Sequence, residues 1–466
     1  MPGPYPLEPS VEEMRSMGEA ALGAYIDFVA GLDDAPSVDH DGATELAARF
    51  REQAPEFGSS FEKLLAQIME GASKSVEYAG PGFFAYIPGG GLYASALAGL
   101  LAFGTNRYVT LWGLTPAFAQ IETSVVRWLC DMFDFPPESR GVLTSGGSMA
   151  NLSAIVTART ALLGESFLDG TLYTSEHAHH SVAKAAMIAG LPPRNVRTVP
   201  CTPDLRIDVA ALHGMIDADR RTGLRPFCVV ANAGTTNTGA IDPLAELVGV
   251  AHERRMWVHV DAAYGGFFQL TVRGRNSLRG IDGADSITLD PHKGMFLPYG
   301  TGALIVRDGR RLREAHHVDA HYLQDVAEGS EIPSFSDYSP ELSRDFRGLR
   351  VWLPVKLHGL HAFRDALDEK LDLARYVYEE LSSDERFEVP WEPELTVVPF
   401  RLREADDGAN GALLERINAS RRVFLSSTMI DGRFTLRVAI LSHRSHRDRV
   451  EECVEIVKRA AGEVDR

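Results

Sequence analysis

The sequence predicts an α/β protein built on a mainly parallel sheet with helices on both faces. Two observations carry that expectation. From about residue 140 to 305, short apolar runs alternate with amphipathic stretches, and residues able to do chemistry stand where the apolar runs end. Strands alternating with helical patterns imply βαβ units, whose crossovers place helices over both faces of a parallel sheet. In chain order the segments read GVLTS then ANLSAIVTARTALLG; TLYTS then HSVAKAAMIAG; PFCVVANAG then PLAELVGVAHERR; and lastly MWVHVDAAY, SITLD and GALIV.

The flanking regions read differently. Ser10-Val11-Glu12-Glu13 is a capping-box pattern, and apolar residues follow it at helical spacing, so two or three helices are expected over residues 10 to 75. From Pro340 a long helical reading begins, with Pro354 expected to interrupt or bend it. Beyond it LTVVPFRL, GALLERINAS, RVFLSSTM, RFTLRVAIL and a final helix from HRDRVEECVEIVKRAAGEV predict a smaller α+β domain. The boundaries expected are an N-terminal helical segment at 1–80, a large α/β domain at 81–350 and a small C-terminal domain at 351–466. The polar stretch 316–340 is long for a connection and reads as a functional loop.

Composition narrows the class. The 466 residues are 45% hydrophobic and 24% charged, with 47 Lys and Arg against 64 Asp and Glu, a formal net charge of −17. Such an acidic balance argues against nucleic acid as a principal partner, because phosphate binding needs clustered positive charge. Cys130, Cys201, Cys228 and Cys453 form no C-x-x-C pair, which fits reduced thiols. The N-terminus lacks the basic-then-apolar order of a signal peptide, and LYASALAGLLAFG at 92–104 is too short to span a bilayer. A soluble, cytoplasmic protein with no membrane partner is expected.

In open α/β sheets, ligands gather beyond the carboxyl ends of the strands, and four candidate positions fall there. TSGGSMANL runs a strand through Gly147 and Ser148 into a helix, where free N–H groups could bind a phosphate; an ordinary serine-capped turn has the same appearance. MWVHVDAAYGG ends a strand at Asp261, a counter-ion for a cationic ring nitrogen or simply a helix cap. SITLDPHKG places Lys293 after a buried-looking strand, where desolvation would favour a free, nucleophilic amine; alone it would read as a surface lysine. EHAHHS crowds His177, His179 and His180 together, but no acidic or thiol companion has the spacing of a zinc site, so no metal is expected. A flat imidazole stacking on a flat cofactor is the other use. A phosphate cup, a carboxylate, an amine and an imidazole together are what pyridoxal 5'-phosphate needs.

On these motifs the chain resembles the group II pyridoxal-phosphate-dependent amino-acid decarboxylases, the family of aromatic-L-amino-acid decarboxylase, from FFAYIP at 83–88 to LRVAIL at 436–441. The resemblance implies the fold-type-I transferase architecture, with a mainly parallel seven-stranded sheet in the large domain, and a homodimer with active sites at the subunit interface. It implies that Lys293 carries the cofactor, His292 neighbours the phosphate and Asp261 partners the ring nitrogen. His179 would stack on the ring, Thr236 would lie close to it, Ala263 would border it, and Gly147 and Ser148 would cup the phosphate. A tyrosine on a mobile loop is implicated in returning a proton to Cα; Tyr338 is the best match and Tyr322 a poorer one. The segments FFAYIPGGGLY and RYVTLWGL would border the substrate through Phe84, Tyr86, Pro88, Tyr108 and Trp112, the second segment reaching across the dimer, although such aromatics serve equally well as core.

Three departures from the family's pattern stand out. Gly294 occupies a place where many members carry tryptophan, Asp290 replaces an asparagine, and the segment between Tyr338 and Phe346 is short. The reaction expected is decarboxylation of an apolar, aromatic L-amino acid to its amine. An aldehyde synthase, an aminotransferase or a carbon–sulfur lyase would share the cofactor, and a dimeric binding protein would share only the fold.

Overall fold

The structure, a computed structural model, describes residues 5, 7–318 and 334–464. Tyr322 and most of the polar stretch 316–340 lie outside the described residues. Three helices come first: α1 (Val11–Ala30), α2 (Ala43–Arg49) and α3 (Phe61–Ser73). The capping box is formed, with Glu13 N donating to Ser10 Oγ at 3.2 Å and Ser10 N to Glu13 Oε2 at 2.7 Å.

Helices α4 (Tyr93–Thr105) and α5 (Pro116–Met132) lead to the main sheet. Its strands are β1 (Arg140–Thr144), β2 (Gly170–Ser175), β3 (Val196–Val199), β4 (Arg225–Asn232), β5 (Trp257–Asp261), β6 (Ser286–Leu289) and β7 (Gly302–Val306). They lie in the order β1-β7-β6-β5-β4-β2-β3; β7 is antiparallel to both neighbours and the remaining pairs are parallel. The helices between them are α6 (Gly147–Leu163), α7 (Ser181–Ile188), α8 (Val209–Arg221), α9 (Leu244–Arg254), α10 (Val272–Ser277) and α11 (Pro291–Gly294), with α12 (Gly309–His316) after the last strand. Strands β5, β6 and β7 are buried at every residue, as expected of strands covered on both faces, and β5 and β6 bury the polar His259, Asp261, Ser286 and Thr288 among their apolar residues. The sequence reading overlooked β3 and α8. β3 is a four-residue edge strand with three partly exposed or exposed residues, so it lacks that signature.

A second sheet, β8 (Phe387–Glu388), β9 (Val397–Leu402), β10 (Ser426–Ile430) and β11 (Arg433–Ala439), is antiparallel in the order β10-β11-β9-β8. Together with helices Asp407–Ala419 and Arg447–Val464 it has its own core, including Phe400, Leu436 and Val457. The long helix Gly348–Ser382 reaches both cores, placing Val351 and Leu367 in the first and Val377 and Leu381 in the second. It does not break at Pro354 as expected, but at Gly359, whose φ of 72° suits a residue without a Cβ. A proline in a helix leaves one carbonyl, four residues back, without its usual donor. Here that carbonyl, Arg350 O, accepts from Ser95 Oγ at 2.9 Å, so the helix runs through. No helix among the described residues is long and apolar enough to cross a membrane.

Candidate active site

The parallel register sets the ends of neighbouring strands level. Asn232 of β4 pairs with Asp261 of β5, and Asp261 with Thr288 of β6. The segments just past β1, β2, β4, β5 and β6 therefore meet, and they enclose a cavity of about 300 Å³. Gly147, Ser148, His179, Thr236, Asp261, Ala263, His292 and Lys293 all line it.

Lys293 sits on α11 rather than on a strand. Its Nζ lies 2.9 Å from Asp290 Oδ2, and its side chain keeps 21% of its exposure. Asp290 is buried; its other oxygen, Oδ1, has no hydrogen-bond partner among the described residues. His292 donates from Nδ1 to Thr301 O at 2.8 Å, and its Nε2 is 3.6 Å from Asp290 Oδ2. Burial lowers the His292 pKa, while the Asp290 carboxylate opposes that shift.

Asp261 is held from two sides. Oδ2 accepts from Asn151 Nδ2 at 2.8 Å and Oδ1 from Ala263 N at 3.2 Å. The same Asn151 amide donates to Ser181 Oγ at 2.9 Å, and that oxygen is 2.7 Å from His179 Nδ1. Since Ser181 N also donates to His179 Nδ1 at 3.3 Å, this nitrogen is the acceptor and the ring proton belongs on Nε2. Burial lowers the His179 pKa and keeps the ring neutral, against the pull of Asp261. Behind Asn151, its Oδ1 meets His259 Nε2 at 3.0 Å, and His259 Nδ1 meets Ser286 Oγ at 2.8 Å. One asparagine thus ties the carboxylate, the imidazole and the sheet together. Sequence reasoning missed it; the signal was a lone amide inside the mostly apolar ANLSAIVTA run, one turn past Gly147.

Other candidate residues lie away from this chain's cavity. Tyr338 is 7% exposed, packs in the main core near Arg140 at the far end of β1, and does not line the cavity. Phe84 is fully buried in the smaller core, because its backbone N donates to Phe424 O at 2.9 Å and draws the segment against the second sheet. Pro88 is buried, Tyr108 donates to Leu342 O at 3.0 Å, and Trp112 is half-buried; none of these lines the cavity of this chain. Gly294 does not open space beside Lys293, since a Cβ there would meet Phe267 Cβ at 2.6 Å. Tyr86 is exposed, but its carbonyl accepts from Arg437, which also donates to Thr236 O at 2.9 Å. That buried guanidinium, lowered to about 10 by desolvation, links the Tyr86 segment to the cavity wall and was not foreseen.

The residues fit a phosphorylated aromatic aldehyde. A Cβ at Gly147 would come within 3.1 Å of Asp290 Oδ2 and 3.2 Å of Ala263 Cβ, so a side chain there would crowd the first turn of α6, which glycine leaves open as a cradle. An amine, a carboxylate and a neutral imidazole face the same space.

Comparison with known proteins agrees with that chemistry. Residues 44–403 match the pyridoxal-dependent decarboxylase conserved domain. The chain is 34% identical to the aromatic-L-amino-acid decarboxylase of Bacillus atrophaeus over 467 aligned residues, covering 98% of this chain and 97% of that protein. Tryptophan decarboxylase 1 of Oryza sativa subsp. japonica is 29% identical, with 98% and 95% covered. The crystal structure of Oryza sativa TDC with PLP and tryptamine superposes with a TM-score of 0.91 at 27% identity, covering 97% of this chain and 98% of that one. A fold-type-I architecture, a cavity bearing an amine and a carboxylate, and a family match over most of the chain lead to one conclusion: this chain belongs to the pyridoxal-dependent decarboxylases, carboxy-lyases that use pyridoxal 5'-phosphate.

Proposed function

We propose that this chain removes the α-carboxyl group of an aromatic L-amino acid to give the amine. One observation carries the assignment of roles: Lys293, Asp261 and His179, from three separate strand ends, converge on a single cavity. When bound, pyridoxal 5'-phosphate supplies a conjugated ring that accepts the electron pair released as the carboxyl group leaves.

The chain's own residues do the rest. Lys293 is the amine that would hold the cofactor's aldehyde carbon. Asp261, fixed by Asn151 and Ala263 N, would keep a proton on the ring nitrogen. His179, neutral and oriented through Nδ1, offers a flat face for the ring. The N–H groups of Gly147 and Ser148 at the start of α6 would meet the phosphate, with His292 nearby and the Thr236 hydroxyl and Ala263 bordering the ring. Clamping the cofactor decides which bond at Cα stands perpendicular to the ring, and so which one breaks. Of the cavity residues, His179 and Lys293 carry the N–H groups that would return a proton to Cα.

The relatives named for aromatic amino acids and for tryptophan support an aromatic substrate, and Tyr86, whose carbonyl is linked through Arg437 to Thr236 of the cavity wall, would border it. The enzyme is proposed to work as a cytoplasmic homodimer. Helix α1 has no buried residue, and Leu100, Leu101 and Phe103 of α4 are exposed, which leaves an apolar face for a second copy.

The test is product analysis in air with a panel of L-amino acids, following carbon dioxide and peroxide. Amine and carbon dioxide without peroxide, from aromatic substrates above all, is the expected result. Aldehyde with peroxide would replace it with the oxidative branch. Carbon dioxide from acidic substrates only would remove the aromatic assignment.

A further inference from the structure

Strands β2 and β3 lie side by side in parallel, so the residues just beyond their ends are neighbours in space. Glu176 and His177 follow β2, and Cys201 follows β3. One ligand atom from each, a carboxylate oxygen, an imidazole nitrogen and a sulfur, all lie within 4.8 Å of one another. The histidine row therefore divides: His179 lines the cavity, while His177 belongs to this outer trio. The thiol companion that its spacing failed to show comes from more than twenty residues away in the chain.

The backbone holds the three in place. Cys201 N donates to Glu176 Oε1 at 2.9 Å, Glu176 N donates to Val199 O at 3.3 Å, and Cys201 bridges to Ile207. Sulfur, nitrogen and oxygen together suit a borderline-soft dication, whereas calcium and magnesium take oxygen. Cys130, Cys228 and Cys453 are buried, while Cys201 is partly exposed, so the ion can reach this sulfur. We propose that Glu176, His177 and Cys201 form a site for a divalent transition-metal ion of the zinc class, with its fourth position open to water. Binding moves the Cys201 proton to solvent and makes the sulfur–metal bond. Burial, helped by Asp242 and Glu176, pushes the Cys201 thiol up to about 11, so the metal displaces a proton from a thiol rather than capturing a free thiolate. Because His177 stands two residues before His179, an occupied site would stiffen the turn that carries the cavity imidazole, and zinc should slow turnover.

The experiment uses cofactor-loaded protein incubated with Zn²⁺ and desalted. Retained metal is measured by atomic spectrometry, and iodoacetamide alkylation of Cys201 by peptide mass spectrometry. The wild type should retain zinc and lose about ten-fold in Cys201 alkylation rate, with EDTA restoring it. Cys201→Ser and His177→Gln should each weaken retention by about ten-fold or more while the cofactor's visible absorbance stays unchanged. Equal zinc retention in wild type and Cys201→Ser would overturn the site, as would zinc that leaves Cys201 alkylation untouched. Glu176→Gln, which keeps an oxygen for Cys201 N, guards against misfolding as the cause: it should weaken zinc retention and leave the fold around β2 and β3 intact.

Discussion

Asp290 introduces a carboxylate into a cavity that must admit a phosphate. In this chain it neutralises Lys293 at 2.9 Å, and a Cβ at Gly147 would nearly touch it. A like charge within a few ångströms opposes an incoming anion by an amount on the order of kcal/mol even at an effective dielectric of about 20. Asp290→Asn should therefore tighten cofactor binding by about ten-fold, measured by fluorescence titration of the apo protein. Unchanged or weaker binding would mean that holding Lys293 matters more than the repulsion. Asn151 tests the opposite effect, loss of support. Asn151→Ala frees Asp261 Oδ2 and Ser181 Oγ together, and kcat should fall about ten- to hundred-fold with little change in KM. Tyr338→Phe, by contrast, removes a buried hydroxyl outside the cavity and should leave the product unchanged, at a stability cost of about 1 kcal/mol. A switch from amine to aldehyde in that variant would return Tyr338 to the mechanism.

At the level of elements, the cup rests on a buried ion pair. Glu122 on α5 and Arg344 pair with no side-chain exposure on either partner; Glu122 Oε2 also accepts from Gly348 N at 3.2 Å. Arg344 reaches Leu143 O of β1 at 2.9 Å, next to the turn that opens α6. The pair thus joins α5, the start of the long helix and the strand that delivers Gly147. Glu122→Ala leaves a buried guanidinium unpaired and should destabilise the protein by about 3–5 kcal/mol, read by denaturant unfolding. A loss below about 1 kcal/mol would show that Arg344 finds water or another acceptor.

For the whole molecule, acid is the weak side. Burial lowers His259 and His316 to about 4 and His443 to about 3, and it lowers His179 and His292 as well. Above the ordinary histidine value both folded and unfolded chains hold these rings neutral, and their stabilising contribution is complete. As pH falls from about 6.5 towards 4, the unfolded chain takes up protons that the folded one refuses, so stability drops. His259 alone accounts for about 3 kcal/mol by the time pH reaches its folded value. Buried Asp242 and Asp285, whose pKa values are raised by desolvation, work in the other sense and offset part of this. Thermal unfolding should shift downward from pH 7 to pH 5; a melting temperature that holds or rises would contradict the burial of these imidazoles.

What the amino-acid order determined by itself is whatever depends on near neighbours along the chain. Buried strands carry many apolar residues in a row, so β4 to β7 were legible; the ends of β5 and β6 marked Asp261 and the His292–Lys293 pair, and the end of β1 marked the glycine turn before α6. The capping box at Ser10 is equally local. Tertiary structure decided what rests on pairing between distant segments. Edge strand β3 carries no continuous apolar run; Ser95 caps the carbonyl that Pro354 would have orphaned; Phe84 and Tyr338 turn into cores rather than the cavity. Asn151 meets Asp261 only because α6 packs on β5, and Cys201 meets His177 only because β2 and β3 lie side by side. Periodicity reports which face of an element is buried, but not which element buries it, and that choice is made by the packing of the whole chain.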